Sequence, residues 1–409
     1  MANKPETEVA AVAENTLDDA ALTAWQSRIG VEMRISNIFN QNASFEAIRN
    51  YSNGIGDDNP LYRDEEYGKK TRFGAMVASP AWVVSVFPHW VLQGLPGIHA
   101  DHSSSDWEFL RPIYINDKIT PKSYFVGYDV KPSKFAGKTA WEYQKFEYWN
   151  QRGECVSRGH CMLVRYERQA ARGKSSAGEG KYDHITIPHP WTEETLAKVD
   201  ADVMAEEVRG SKVRYWEDVN IGDELQPVVK GPYGMTDITA YCVGAAPVQI
   251  AAHGVQLRTY RKHPAWAFRD PVTHAWEPIY SVHYSVPAAK AVGALYAYDA
   301  GVQRHSWVVN LLTNWVGDEG WVKRSYAEYR QFVYHSDVVW LKGKVVKKYE
   351  DEGEFCVDIE THGVNQRGDD TIPGMASVAL PSKKAKTWPL EKRLPLKEHR
   401  GTGKGVHFA

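Results

Sequence analysis

Residues 51–80, YSNGIGDDNPLYRDEEYGKKTRFGAMVASP, gather Gly54, Gly56, the Asp57-Asp58 pair, Asn59-Pro60 and Gly74 into one short segment that runs into the apolar stretch PAWVVSVF. Gly and Asn-Pro impose a non-repetitive backbone, which can hold a carboxylate and an amide at set places beside a helix N-terminus. The segment reads as an active-site loop feeding a buried helix over 80–95, with a solvated acidic turn as the plainer alternative. Upstream, Ser44 can cap a helix in which Phe45, Ile48 and Tyr51 recur at helical spacing. Downstream of Asp106, WEFLRPIYIND, KITPKSYFVGYDVK, TAWEYQKFEYWNQRG and ECVSRGHCMLVRYER alternate or are rich in β-branched and aromatic residues. A helix followed by a run of antiparallel strands predicts an α+β fold.

GDDNPLYRDEEYGKKTRFGAMVASP resembles the hydratase motif of the MaoC-like acyl dehydratases, the enoyl-CoA hydratase 2 family. These are hot dog folds, a long helix wrapped by an antiparallel sheet, that add water to or remove it from thioesters of CoA or acyl carrier protein. The family motif reads G-D-x-N-P-(I/L)-H-x-D, followed by a Gly and by A-H-G at the start of the central helix. Asp57, Asn59, Pro60, Leu61 and Asp64 fall on it, and Tyr62 occupies the catalytic His position. A Tyr there resembles the non-catalytic half of a two-repeat enzyme. Asp57 and Asn59 then fit as cap and turn residues that brace the loop.

The chain also repeats itself. MTDITAYCVG at 235–244 matches SFEAIRNYSNG when Tyr241 is set on Tyr51, an offset of 190. SWVVNLLTNW at 306–315 matches AWVVSVFPHW at 81–90, which sets Trp307, Val308, Val309 and Trp315 on Trp82, Val83, Val84 and Trp90 at an offset of 225. EYRQFVYHSD at 328–337 matches EFLRPIYIND at 108–117 without a gap, an offset of 220. Three matches in one order predict two hot dog repeats paired as a double hot dog, as two subunits of a dimer would pair. The growing offset places an insertion at 245–280 in the second copy. The expected units are an N-terminal repeat at 23–168 after a loose tail, a linker at 169–212, a C-terminal repeat at 213–383 in which Gly222 turns the chain as Gly30 does, and an exposed basic tail at 384–409.

After the insertion, HYSVPAAKAVG at 283–293 resembles the downstream half of the family motif, with His283 in the catalytic position and Ala289 and Gly293 in register. Ser285 replaces the family's Asp, Ala300 replaces the His of A-H-G, and Gly301 follows. The first copy thus keeps an Asp without the His, and the second keeps the His without the Asp. The resemblance implies that His283 is the catalytic base and that the Gly301 N–H, at a helix N-terminus, meets the enolate oxygen. Asp270 and Glu277 in the insertion are the candidate carboxylate partners, with Asp57 reaching across as the alternative. Hydrating a 2-enoyl thioester needs such a base, an acid at the α-carbon and a donor to the oxyanion. Arg258, Arg261, Lys262 and Arg269 form a basic patch suited to CoA phosphates, and Arg304 and Tyr298 are further substrate-binding candidates. His253, His263 and His274 follow no metal-ligand spacing, so no metal is expected.

Forty-nine Lys and Arg against 51 Asp and Glu leave a net charge of -2 with no long basic block, which argues against nucleic acid as a partner. The first residues lack a signal peptide's basic start and apolar run, and no 18-residue apolar stretch occurs, so a cytoplasmic protein with no membrane partner is expected. Four scattered cysteines suit reduced thiols. Fifteen Trp and 22 Tyr can fill sheet faces or line a pocket for a bulky flat acyl group. The expectation is a hydro-lyase acting on an acyl-CoA, needing no cofactor beyond the CoA of its substrate and assembling as a homo-oligomer. A non-catalytic thioester-binding or partner-binding subunit and a different lyase reaction on the same fold are the alternatives.

Overall fold

The computed structural model describes residues 11–35, 38–88, 94–178, 180–245 and 250–404. An N-terminal segment carries β1 (Ala11–Val12) and α1 (Asp19–Gln26). The first repeat follows as α2 (Phe45–Ile55), α3 (Glu65–Lys70), α4 (Val83–Val86), β2 (Ile98–Phe109), β3 (Ile119–Ser133), β4 (Gly137–Asn150) and β5 (Cys155–Glu167), and the connection holds α5 (Arg168–Ser176) and α6 (Glu193–Met204). The second repeat opens with β6 (Val228–Lys230) and α7 (Met235–Ala245). Its insertion carries α8 (His253–Lys262), β7 (Ala267–Arg269) and β8 (Trp276–Pro278). It closes with α9 (Val286–Ala291), α10 (Gly301–Val316), β9 (Trp321–Glu328), β10 (Val339–Asp351), β11 (Glu354–Asn365) and β12 (Gly374–Leu380).

Nine strands form one sheet in the order β3-β4-β5-β2-β9-β12-β11-β10-β6, antiparallel throughout. The two halves join at β2 and β9, where Asp106 pairs directly with Tyr326. These residues are equivalent at the offset of 220, so a local two-fold axis passes between them, as in an isologous dimer. α2 and α7 pack across the same axis. A Cβ on Gly54 would lie 2.9 Å from the Ala240 oxygen, and one on Gly244 would lie 2.4 Å from the Asn50 oxygen. Only hydrogen at both positions lets the backbones approach this closely.

Each half wraps a buried helix, and every residue of α10 after Gly301 is buried. Ser79 and Ala300 precede the two central helical segments, and Val77 and Tyr298, which bridge to Tyr114 and Tyr334, stand at the same offset of 221. The WVV match at 225 is therefore one helical turn beyond the structural equivalence. A shift of four residues returns to the same helix face, which is why the apolar pattern hides it. The first copy's helix is also shorter than the expected 80–95: a 3₁₀ turn at Pro80–Trp82 and α4 end where Phe87 turns extended, and Trp90 lies outside the described residues.

Two expectations about the terminal segments are corrected, and the linker begins with an ordered turn of chain. The N-terminal segment is tied down by pairing of β1 with β7, by burial of Leu17 and Trp25, and by stacking of Trp25 on Phe125 and Tyr128. The Gly/Ser-rich stretch after Arg168 begins as α5, anchored by buried Ala171. The basic C-terminal stretch is a strap rather than an exposed tail. Leu390 is buried, Arg72 Nη1 donates to the Pro389 carbonyl, Arg111 Nη1 to that of Arg393, and Arg400 Nη1 to that of Arg72. Gly30 and Gly222 both take positive φ and donate to the equivalent carbonyls of Phe125 and Val345. Among the described residues no helix is long and apolar enough to cross a membrane.

Candidate active site

His283 ends a 3₁₀ turn, Ile279–His283, that occupies the place of Pro60–Tyr62 in the first repeat. Pro278 at its N-cap position and Tyr284 at its C-cap position bound it, and Ser285 follows. The Ser285 hydroxyl accepts from the Ala288 amide to cap α9, just as Asp64 accepts from Glu66 and Tyr67 to cap α3. The exchange of the family's second Asp for Ser285 thus swaps one helix cap for another.

The imidazole packs between the rings of Tyr280 and Tyr298, at centroid distances of 4.5 and 5.0 Å. Its Nδ1 lies 2.9 Å from the Tyr298 carbonyl, an acceptor, so Nδ1 carries the proton and Nε2 is the basic nitrogen. The His283 carbonyl in turn accepts from Nε2 of His335 at 2.8 Å. Burial pushes the imidazole down to about 4, against the carbonyl of Tyr298 and the charges of Asp299 and Asp101, which favour the cation. His283 is therefore a neutral base near pH 7.

His283 opens onto a cavity of about 1080 Å³ that also takes in Asp101, Tyr298, Gly301 and Tyr329. Gly301 starts α10, whose N-cap Ala300 offers no side-chain acceptor. First-turn amides have no intrahelical acceptor, and at this N-terminus the helix dipole adds to their pull on an anion. A Cβ at 301 would come within 2.9 Å of the Tyr329 ring, so the glycine keeps that approach open.

The carboxylates are not those expected. Asp270 accepts from Val272 N, Thr273 N and Thr273 Oγ1 within the β7–β8 hairpin, and these bonds hold its carboxyl low. Neither it nor Glu277 on β8 lines the cavity. Asp57 is buried in the first repeat, where one oxygen accepts from Asn59 N and the other meets no partner, and burial pushes it up to about 6. It lies outside the cavity, as do Asn59 and the buried Tyr62. Beside the first copy's loop, Lys230 Nζ on β6 donates to the Gly56 carbonyl and pairs with Glu206 of the connection, which accepts from Asn314.

The carboxylate that faces the cavity beside His283 is Asp101, from β2 of the first repeat. It lies 3.5 Å from the Tyr298 hydroxyl and 3.3 Å from His99 Nε2. No strand was expected there, because HADHSSSD lacks apolar alternation. His99, Asp101, His102 and Ser103 of this stretch line a cavity rather than a core. Asp299 also lines the cavity, but it is held in a buried pair with Arg304. Arg304 also donates to the carbonyls of Gln331 and Thr371, so it braces the entry to α10 and is not available to phosphates as expected. Arg258 and Arg261 are exposed on the outer face of α8; of the basic patch Lys262 lines the cavity, together with Gln256, Thr259, Tyr260 and His263. Among the described residues no cluster of three His, Cys, Asp or Glu side chains converges as a metal site.

Residues 29–158 match the family model described as "FAS1-like, dehydratase domain region". A "UPF0336 protein" of Parafrankia sp. (strain EAN1pec) is 30% identical over 128 residues, covering 29% of this chain and 80% of the relative. A solved "MaoC-like dehydratase" superposes with a TM-score of 0.60 at 16% identity, covering 87% of this chain and 100% of its own. A putative MaoC domain dehydratase from Chloroflexus aurantiacus J-10-fl gives 0.50 at 12% identity over 87% and 96% of the two chains. A Mycobacterium tuberculosis protein described as a double hot dog fold gives 0.51 at 11% identity over 86% and 96%. Over the matched residues this chain belongs to the family of that UPF0336 relative, and its fold is the double hot dog shared with the solved MaoC-like dehydratases.

Proposed function

We propose that this chain is a hydro-lyase that adds water across C2–C3 of a 2-enoyl-CoA or, in reverse, dehydrates a 3-hydroxyacyl-CoA. The observation that carries this reading is the neutral imidazole of His283, its Nδ1–H held by the Tyr298 carbonyl, on the same cavity as the α10 N-terminus. In the forward direction His283 Nε2 takes a proton from water as the water oxygen bonds to C3. The C2–C3 π electrons move into the thioester, and the enolate oxygen meets the Gly301 amide. The imidazolium then returns the proton to C2 and the thioester carbonyl re-forms, so water supplies both added groups. The second water hydrogen stays on the oxygen as the product's 3-hydroxyl, from which Asp101 accepts a hydrogen bond, and the carboxylate's charge favours the transient imidazolium. An oxyanion donor such as Gly301 N–H is worth on the order of 10²–10³ in rate.

Phe135, Tyr166, Tyr182, Tyr298 and Phe332 stand around the cavity, and its volume reaches the upper end of the roughly 300–1000 Å³ usual for small-molecule sites. A bulky or ring-containing acyl group fits these walls. CoA enters as part of the substrate. Incubating the purified chain with a panel of 2-enoyl-CoAs and following the conjugated thioester absorbance tests the reading. Loss of absorbance with at least one bulky member is expected; no turnover with any thioester would leave the non-catalytic binding subunit as the better account.

A further inference from the structure

Three arginines are deeply buried, and two have carboxylate partners: Arg165 pairs with Glu142 and Arg304 with Asp299. Arg168, 4% exposed, has none among the described residues. Its Nη1 donates to the Ala13 carbonyl at 2.7 Å and its Nη2 to that of Ala265 at 3.3 Å, while the buried Nε has no partner. Glu14, whose charge acts on it, is engaged by Arg172. A guanidinium cannot shed its proton, and burying one without a counter-charge is costly. Arg168 also lines the cavity that holds His283.

Its place along the wall gives the direction. Tyr329, whose ring borders Gly301, donates its amide to Ser103 on β2. Two residues back along β2, Asp101 lies beside Tyr298 and His283, and two further back His99 pairs in register with Tyr166 of β5. Arg168 follows two residues after Tyr166, where the chain leaves β5. At roughly 3.3 Å per residue this puts Arg168 on the order of 10 Å past the Asp101 level, on the side away from the oxyanion amide. A thioester with its carbonyl at Gly301 and C3 at His283 would point its acyl chain toward Arg168.

Building on the hydratase reading, we propose that Arg168 receives an anionic group of the substrate, a carboxylate at the far end of the acyl chain. The substrate class is then a 2-enoyl-CoA with a distal carboxylate. The phosphates of CoA are the other source of such an anion. They would have to pass the reacting carbons to reach Arg168, whereas a distal carboxylate arrives there with the chain.

Two 2-enoyl-CoA series of matched length, one ending in a carboxylate and one in a methyl group, separate these cases on the wild-type chain. The carboxylated series should show kcat/KM at least about tenfold higher, the scale of one charge-assisted hydrogen bond. Arg168→Gln should reduce kcat/KM about 10- to 100-fold for the carboxylated series and less than about threefold for the neutral one. Equal loss on both series means that Arg168 only braces the segments at Ala13 and Ala265. A wild-type preference for the methyl series, or an Arg168→Gln effect that disappears with 3′-dephospho-CoA esters, likewise overturns the proposal. Calorimetric binding of the saturated analogues keeps the test separate from the hydratase reading. Tighter binding of the carboxylated analogue supports the anion site even with no turnover, and equal binding counts against it even in an active enzyme.

Discussion

His283 donates its Nδ1–H to the carbonyl of Tyr298 across 2.9 Å, and that one bond decides which nitrogen of the ring is basic. Burial outweighs the carbonyl and the nearby carboxylates and brings the imidazole from 6.5 down to about 4. Because the shift is downward, the neutral base persists as pH falls and is lost only below about 4. The acid limb of kcat/KM is expected near that value. At pH 5.5 an ordinary imidazole would be about nine-tenths protonated and rate would fall about tenfold, whereas this site should lose little. A limb centred near 6.5 would refute the assignment of the limb to a buried His283.

The second repeat lacks the family's own carboxylate, and Asp101 of the first repeat stands in its place. Asp101→Asn should lower kcat about 10²-fold with KM changed much less, because the charge acts mainly as the imidazolium forms. Asp270→Asn should leave kcat near wild type and lower Tm through the hairpin turn it caps. Steady-state kinetics on the two variants decide between them, and the opposite pattern would return Asp270 to the site.

Asp57 is a relic of the first repeat's motif and is held buried near pKa 6 against 3.8 for a free side chain. A raised carboxyl favours folding below its unfolded pKa, and that stability is lost as pH climbs from about 4 through 6. Asp57→Asn removes the cost of ionising it. At pH 7 the gain is bounded by about 3 kcal/mol, two units at 1.36 kcal/mol each, less what the unpartnered amide costs. Chemical denaturation at pH 4 and pH 7.5 should show the variant stabilised only at the higher pH, and equal effects at both would be inconsistent with a raised Asp57.

Gly54 and Gly244 are equivalent across the local two-fold, so replacing either with Ala puts a methyl into the facing helix backbone. The helix-propensity gain of about 1 kcal/mol is smaller than the cost of displacing backbone, about 1–3 kcal/mol or more. Gly244→Ala, with its contact at 2.4 Å, should lower Tm more than Gly54→Ala, by several degrees. Scanning calorimetry of both variants gives the ranking.

The fold was legible because the loop at 51–80 and the three offsets are backbone features carried by Gly, Pro and apolar spacing. The candidate site was half legible. His283 and Gly301 keep the family spacing, but Asp101 sits in HADHSSSD, a strand whose inward side chains face a cavity and so lack apolar alternation. In the insertion, charge drew attention to Arg258 and Arg261, while helical spacing at Gln256, Thr259, Tyr260 and His263 marks the face that lines the site. Arg304 looked free because its partner Asp299 lies five residues back across a helix start. The basic tail looked solvated because Leu390 and Leu394 are sparse among lysines, yet both pack onto the core.

The most direct test of the account is turnover of one accepted 2-enoyl-CoA by His283→Ala and Tyr62→Phe under identical conditions. The account predicts that His283→Ala loses on the order of 10³ or more in kcat, while Tyr62→Phe, buried in the first repeat away from the cavity, stays within about twofold of wild type. Wild-type turnover by folded His283→Ala, or loss of turnover by Tyr62→Phe instead, would place the chemistry in the other repeat and contradict it.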